Sequence, residues 1–351
     1  MHKISSEKFH KVLEQIIKDN ETYGAVKKRD EYIYDRLETL SDLEIENYVP
    51  TVLPPKKYFY PQEEDLVQID YKTKKANRVI FKKEIVLLGV RPCDINAISL
   101  FDRIMSDGNP DPNYLERRKH ITVIGFDCVK SCWEHALCEA VGTINVKEGY
   151  DLFFSEYKKE YVIKTGSKKG EELFDRYIKN SHKLSEKERD DYHHERAERI
   201  KKFNHKVKYL FQDVSSIFEK HYDDPYWKEI GKICLMCGSC VMVCPTCYCF
   251  TMDEEVDLKL QTVTRKRKWD GCMLRDFAMV AGNHNFRPTA EMRLKHRWNR
   301  KFNYLLKKYH MSNCVGCGRC GFACLVKINP IDILNTIMGN YYSGVKHESE
   351  K

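Results

Sequence analysis

Cys234-Leu-Met-Cys237-Gly-Ser-Cys240-Val-Met-Val-Cys244-Pro245 decides how this chain is read, and it is echoed at Cys314-Val-Gly-Cys317-Gly-Arg-Cys320-Gly-Phe-Ala-Cys324. Three cysteines at i, i+3 and i+6 can wrap one short loop around a corner of an iron–sulfur cubane. The fourth cysteine of such a run reaches across to the other cluster. Two runs therefore imply two [4Fe-4S] clusters with crossed ligation. Cys234, Cys237, Cys240 and Cys324 are expected around the first, and Cys314, Cys317, Cys320 and Cys244 around the second. Iron needs soft thiolates, presented by a backbone tight enough to supply three at once. The alternative is zinc in a structural or partner-binding module. A structural zinc site needs only four ligands, typically in paired C-x2-C units, so the third and fourth cysteines of each run are surplus to it.

Working outward, the spacer between Cys244 and Cys314 is long for a compact two-cluster ferredoxin. It carries helical spacing instead: Met292, Leu294, Trp298, Phe302, Leu305 and Tyr309 recur at steps of mostly three and four, after Pro288. Residues 272–281 read as another helix. The expected architecture is an α-helical ferredoxin-type domain over residues 225–345. Gly316-Cys-Gly-Arg-Cys-Gly321 matches the dinucleotide pattern G-x-G-x-x-G, but no apolar strand precedes it and two of its residues are expected ligands. No other nucleotide motif stands out.

Upstream, Glu84–Val90 and Ile121–Phe126 are apolar runs of buried-strand type, with a helix expected over 95–104 between them. This βαβ pattern predicts an α/β domain over residues 1–154. Residues 7–20 carry helical spacing at Phe9, Val12, Leu13, Ile16 and Ile17. The region 155–224 is dense in charge and reads as exposed helices linking the two halves. His193-His194, with His182 and His205, reads there as solvated helix histidines.

Seven cysteines lie outside the two runs. Cys93 follows the first strand; Cys128, Cys132 and Cys138 follow the second. Neighbouring parallel strands place their C-terminal ends side by side, so these four could form a third cluster or metal site. Cys93, Cys128 and Cys138 could alternatively give a redox subunit chemistry of its own. Cys247, Cys249 and Cys272 are placed to pack beside a cluster and tune it. Arg287, Arg293, Lys295, Arg297, Arg300 and Lys301 crowd one helix, either as its solvent face or as compensation for cluster charge or docking.

Bulk properties exclude several classes. Net charge is +8, and two oxidised clusters at roughly −2 each would reduce it, so the balance is not that of a nucleic-acid binder. No apolar stretch approaches the roughly 18–20 residues of a membrane span, and no signal peptide is seen. Fifteen cysteines in 351 residues, spaced as metal sites, point to a reducing cytoplasm.

Cys244-Pro-Thr-Cys-Tyr-Cys-Phe250, Trp269-Asp-Gly-Cys272, Ala281-Gly-Asn-His-Asn-Phe-Arg287 and Cys314-Val-Gly-Cys-Gly-Arg-Cys320 follow one another in order, after Gly89-Val-Arg-Pro-Cys-Asp-Ile-Asn-Ala-Ile98 and Tyr114…Arg117-Arg118. Over roughly residues 80–335 the chain resembles the dicluster iron–sulfur electron-transfer family that includes the iron–sulfur subunit of anaerobic sulfite reductases and the beta subunit of cytosolic [NiFe] hydrogenases (sulfhydrogenases). That resemblance places the family's eight ligands on the cysteines of the two runs. It implies an electron-transfer subunit, not a catalyst alone, beside an FAD-containing, NAD(P)H-oxidising reductase subunit and a catalytic redox subunit. Two positions depart from the family pattern: Leu325 stands where Pro is usual, and Leu137-Cys138 replaces a C-F-C pair.

Overall fold

The computed structural model describes residues 1–46, 48–203 and 206–349, with side-chain surroundings through residue 344. An eight-stranded sheet fills the N-terminal half, in the order His182–Lys183, His2–Ser5, Glu160–Thr165, Leu152–Tyr157, Ile121–Phe126, Ile85–Val90, Thr22–Lys28 and Glu31–Arg36. Its four central strands, from Leu152–Tyr157 to Thr22–Lys28, are mutually parallel. Every residue of Ile85–Val90 and Ile121–Phe126 is buried, as expected of parallel strands covered on both faces. The helix Ser6–Asp19, capped by the Ser5 hydroxyl on the Lys8 amide, lays Phe9, Leu13 and Ile16 on one face. The helix Pro92–Ser106 lays Ile95, Ile98 and Phe101 on the other. The α/β reading of this half therefore holds.

The charged stretch expected as exposed helices opens differently. Leu152–Tyr157 and Glu160–Thr165 form an antiparallel pair inside the sheet. Their charged residues sit at the hairpin and at partly or fully exposed positions, while the consecutive Phe153 and Phe154, and Val162 and Ile163, are buried, so charge density masked short strands covered on both faces. Helix begins only at Lys168–Tyr177 and Glu186–Lys201. His193 and His194 are exposed on the latter; His205 lies outside the described residues.

A second, four-stranded antiparallel sheet joins segments far apart in sequence, in the order Phe250–Val256, Thr262–Trp269, Glu63–Asp70 and Ala76–Arg78. At its base the buried Glu64 carboxylate accepts from Arg117 Nη2 at 2.6 Å and from Arg267 Nε at 2.9 Å, and Arg267 also pairs with Asp111. Below it, Tyr226–Ile233, Ala290–Asn299, Leu305–Tyr309 and Pro330–Ser349 pack around Trp227, Ile230, Leu294, Trp298, Phe302, Leu334 and Ile337. The helix expected over 272–281 is instead a short 3-10 turn, Arg275–Ala278, followed by the short strand Met279–Val280. No helix among the described residues is long and apolar enough to cross a membrane.

Candidate metal centres

The two cysteine runs fold alike. In each, the residue before the second cysteine and the residue after it take the left-handed conformation: Met236 (φ 51°) and Gly238 (77°) in the first, Gly316 (65°) and Gly318 (72°) in the second. A short helix follows, Ser239–Met242 or Arg319–Phe322. Alternating handedness curls the loop, which brings the Met236 amide beside the Cys234 sulfur and the Gly316 amide beside that of Cys314. Glycine suits such positions because a left-handed residue with a side chain costs about 1–2 kcal/mol. Met236 bears that cost.

Cys234, Cys237, Cys240 and Cys324 line one apolar pocket with Met273, Leu294, Arg297 and Trp298. Cys324 comes from the other run, so this set is the crossed one. Cys320 touches the same pocket. The second crossed set is also gathered: Cys314, Cys317 and Cys320 each lie within electrostatic reach of Cys244. The two sets thus share a wall.

Arg293, Arg297 and Lys301, one helical turn apart, point inward and are buried. Arg297 Nη2 donates to the Cys240 carbonyl at 2.8 Å, and its guanidinium also faces the Cys320 side chain. Lys301 Nζ donates to Thr246 Oγ1 at 2.6 Å and to the Asn313 carbonyl at 3.0 Å; Thr246 Oγ1 lies 3.3 Å from Cys244 Sγ. Among the described residues neither Arg297 nor Lys301 has a carboxylate at ion-pair distance, whereas the equally buried Arg319 is held by Asp94 at 2.6 and 2.8 Å. Burial pushes Cys240 and Cys314 up to about 12. At Cys244 burial also pushes up, but Lys301 and then Arg297 outweigh it and bring the thiol down to about 7.

A sequence reading missed Lys56. It is buried, donates to the Cys247 carbonyl at 3.0 Å and sits 3.5 Å over the Trp269 ring; burial lowers it to about 8. Nothing in the letters Pro54-Pro55-Lys56-Lys57 separates its lysines from those of a solvent-facing loop. Cys247, Cys249 and Cys272 pack in the same core as Cys240 and Cys244.

The N-terminal cysteines meet the second run. Leu137 N–H donates to the Gly316 carbonyl at 2.9 Å, Trp133 Nε1 to that of Cys317 at 2.9 Å, and Thr143 Oγ1 to that of Val315 at 2.7 Å. Cys128, Cys132 and Cys138 are within electrostatic reach of one another. Cys93 packs instead against Val315 and Cys317, with Cys138 a more distant influence. No group of three or more His, Cys, Asp or Glu side chains among the described residues is arranged to hold a single metal ion.

Comparison with known proteins agrees with this geometry. A family described as the 4Fe-4S dicluster domain matches residues 233–328. The sulfhydrogenase 2 subunit beta of Pyrococcus furiosus is 30% identical over 341 residues, covering 95% of this chain and 97% of that protein. This chain belongs to the dicluster iron–sulfur family of sulfhydrogenase beta subunits. No solved structure matches it significantly. Its membership fixes iron–sulfur clusters of the 4Fe-4S type as the groups that the dicluster domain takes, which leaves the zinc alternative without support.

Proposed function

We propose that the chain is an electron-transfer subunit holding two [4Fe-4S] clusters in an α-helical ferredoxin-type domain. Cys234, Cys237, Cys240 and Cys324 hold one, and Cys314, Cys317, Cys320 and Cys244 the other. The observation that carries this reading is the pair Arg297–Lys301. Taking a cation out of water without a counter-charge costs several kcal/mol per ion. Among the described residues, the acidic groups facing these two are thiols of the crossed sets and their neighbours Cys247 and Cys272. An anionic iron–sulfur centre on those thiolates supplies the missing charge. The orphaned Nε–H of Arg297 and Nε1–H of Trp298, at the wall of the first pocket, are donors of the kind that bond cluster sulfur.

When bound, such clusters take up and release one electron each. The chain's own part is to hold them a shared wall apart, exclude water with Leu294, Trp298 and Met273, and set their potentials with fixed cations. A chain built this way needs a donor and an acceptor. We assign these to an FAD-containing, NAD(P)H-oxidising subunit and to a catalytic reductase or hydrogenase subunit, in the cytoplasm. The mutual proximity of Cys128, Cys132 and Cys138 supports a third centre there, completed by Cys93 only if that side chain turns away from Cys317. Anaerobic reconstitution followed by iron and sulfide assay tests the scheme. About 8 Fe per chain is expected, or about 12 with the third centre filled; a plateau near 4 Fe, or stoichiometric zinc, would overturn it.

A further inference from the structure

Of the eight cysteines in the two runs, only Cys237 is exposed; Cys244 and Cys317 are buried and the others half-buried. The first site is therefore at the surface and the second inside. Around Cys237 the rim of the first pocket is apolar: Leu235 is 59% exposed and Leu325 74%, with Met236 and Val326 half-exposed beside them. Ile233, at the end of its helix, is 51% exposed. Chain-adjacent to this collar stand Lys232 and Lys327, exposed and without an ion-pair partner among the described residues. Isolated exposed leucines need no explanation, but a contiguous apolar rim with a charged edge marks an interaction site.

We propose that this collar is the electron port of the subunit. It is where a redox protein with an apolar face and an acidic edge docks, bringing its own one-electron centre to the Cys237 side of the first site. Tunnelling rates fall steeply with distance, so exchange with a partner belongs at the one site that reaches the surface. The transfer makes and breaks no bond: the electron given up by one centre is the electron gained by the other. Leu325 fits this role. It follows Cys324 directly and projects from the rim while holding no interior packing position.

This inference rests on the two-cluster reading, so iron content and the EPR signals of the reduced chain are measured first; their absence would refute that reading, not the port. The tagged chain is then purified with its partner subunits, and separately alone, and both are footprinted with a photoactivated diazirine. Labelling of Leu235 and Leu325 is expected to fall several-fold in the complex. Leu235→Glu with Leu325→Glu should keep iron content and EPR signals, yet weaken the complex at least tenfold. Lys232→Glu with Lys327→Glu should keep the clusters and flatten the salt dependence of association. Equal labelling of the two leucines in both states, a doubly substituted chain that assembles like the parent, or a chain that purifies with no redox subunit would each overturn the proposal.

Discussion

Lys301 reaches the Cys244 sulfur through a single hydroxyl, that of Thr246. A fixed positive charge stabilises the more negative, reduced form of a nearby cluster and so raises its potential. Lys301→Met keeps most of the methylene packing and removes the charge. The potential of the second-run cluster should then fall by roughly 60 mV or more, a decade in a one-electron equilibrium. Arg297→Met should lower both potentials, because Arg297 bonds the Cys240 carbonyl and faces the Cys320 side chain. EPR-monitored titration resolves the two. Equal shifts from both variants would show that the cations act only through net charge. The sequence left the role of this helix open for a physical reason. Arg293, Arg297 and Lys301 flank the apolar stripe of Leu294, Trp298 and Phe302 by one residue, so periodicity places them at the boundary between core and solvent. Only the fold shows that Cys240, Cys244 and Cys320 lie on that side.

At the scale of elements, the spacing leads to the proposal of crossed pairing, because three cysteines of one run exhaust the corners that one loop can reach. Cys324 lines the first pocket with Cys234, Cys237 and Cys240, which supports that proposal. Cys324→Ala should therefore perturb the EPR signal of the first-run cluster; a change confined to the other would show local pairing. The turns make a second test. A Cβ on Gly318 would sit 2.4 Å from the His135 carbonyl oxygen, while one on Gly238 would meet the mobile end of Leu274 at 2.5 Å. Both positions carry the left-handed cost of about 1–2 kcal/mol, but only the first also displaces backbone. Gly318→Ala is expected to destabilise by about 2 kcal/mol more than Gly238→Ala, read from denaturant midpoints of the apo-chain; equal losses would mean that the 135–138 loop yields freely. The four-stranded sheet was not legible, because Glu63–Asp70 and Thr262–Trp269 pair across nearly 200 residues and no local pattern announces so distant a partner. The strands at 152–165 were hidden by their charge.

For the whole molecule, the two halves are one redox unit, not beads on a linker. Arg319, inside the second run, is clamped by Asp94 and the Thr51 carbonyl of the N-terminal half, and the Trp133–Thr143 segment lies along the same run. The second site is thereby enclosed, and the first opens at Cys237. The pattern Gly316–Gly321, which matches a dinucleotide fingerprint by letters alone, is in fact the turn of a cysteine run with Gly316 and Gly318 pressed on Cys138 and His135. The isolated holo-chain should accordingly leave NADH and NADPH unoxidised, and adding the proposed flavin-bearing partner should bleach the iron–sulfur absorbance within a stopped-flow experiment. Because exposed charges are screened beyond about 10 Å at 0.1 M salt, and Lys232 and Lys327 sit at the expected contact, the bleaching rate should fall as salt rises while its final amplitude stays constant. Direct reduction of the isolated chain by NADH, or flavin bound to it, would show that this subunit does chemistry that its two cysteine runs alone do not explain.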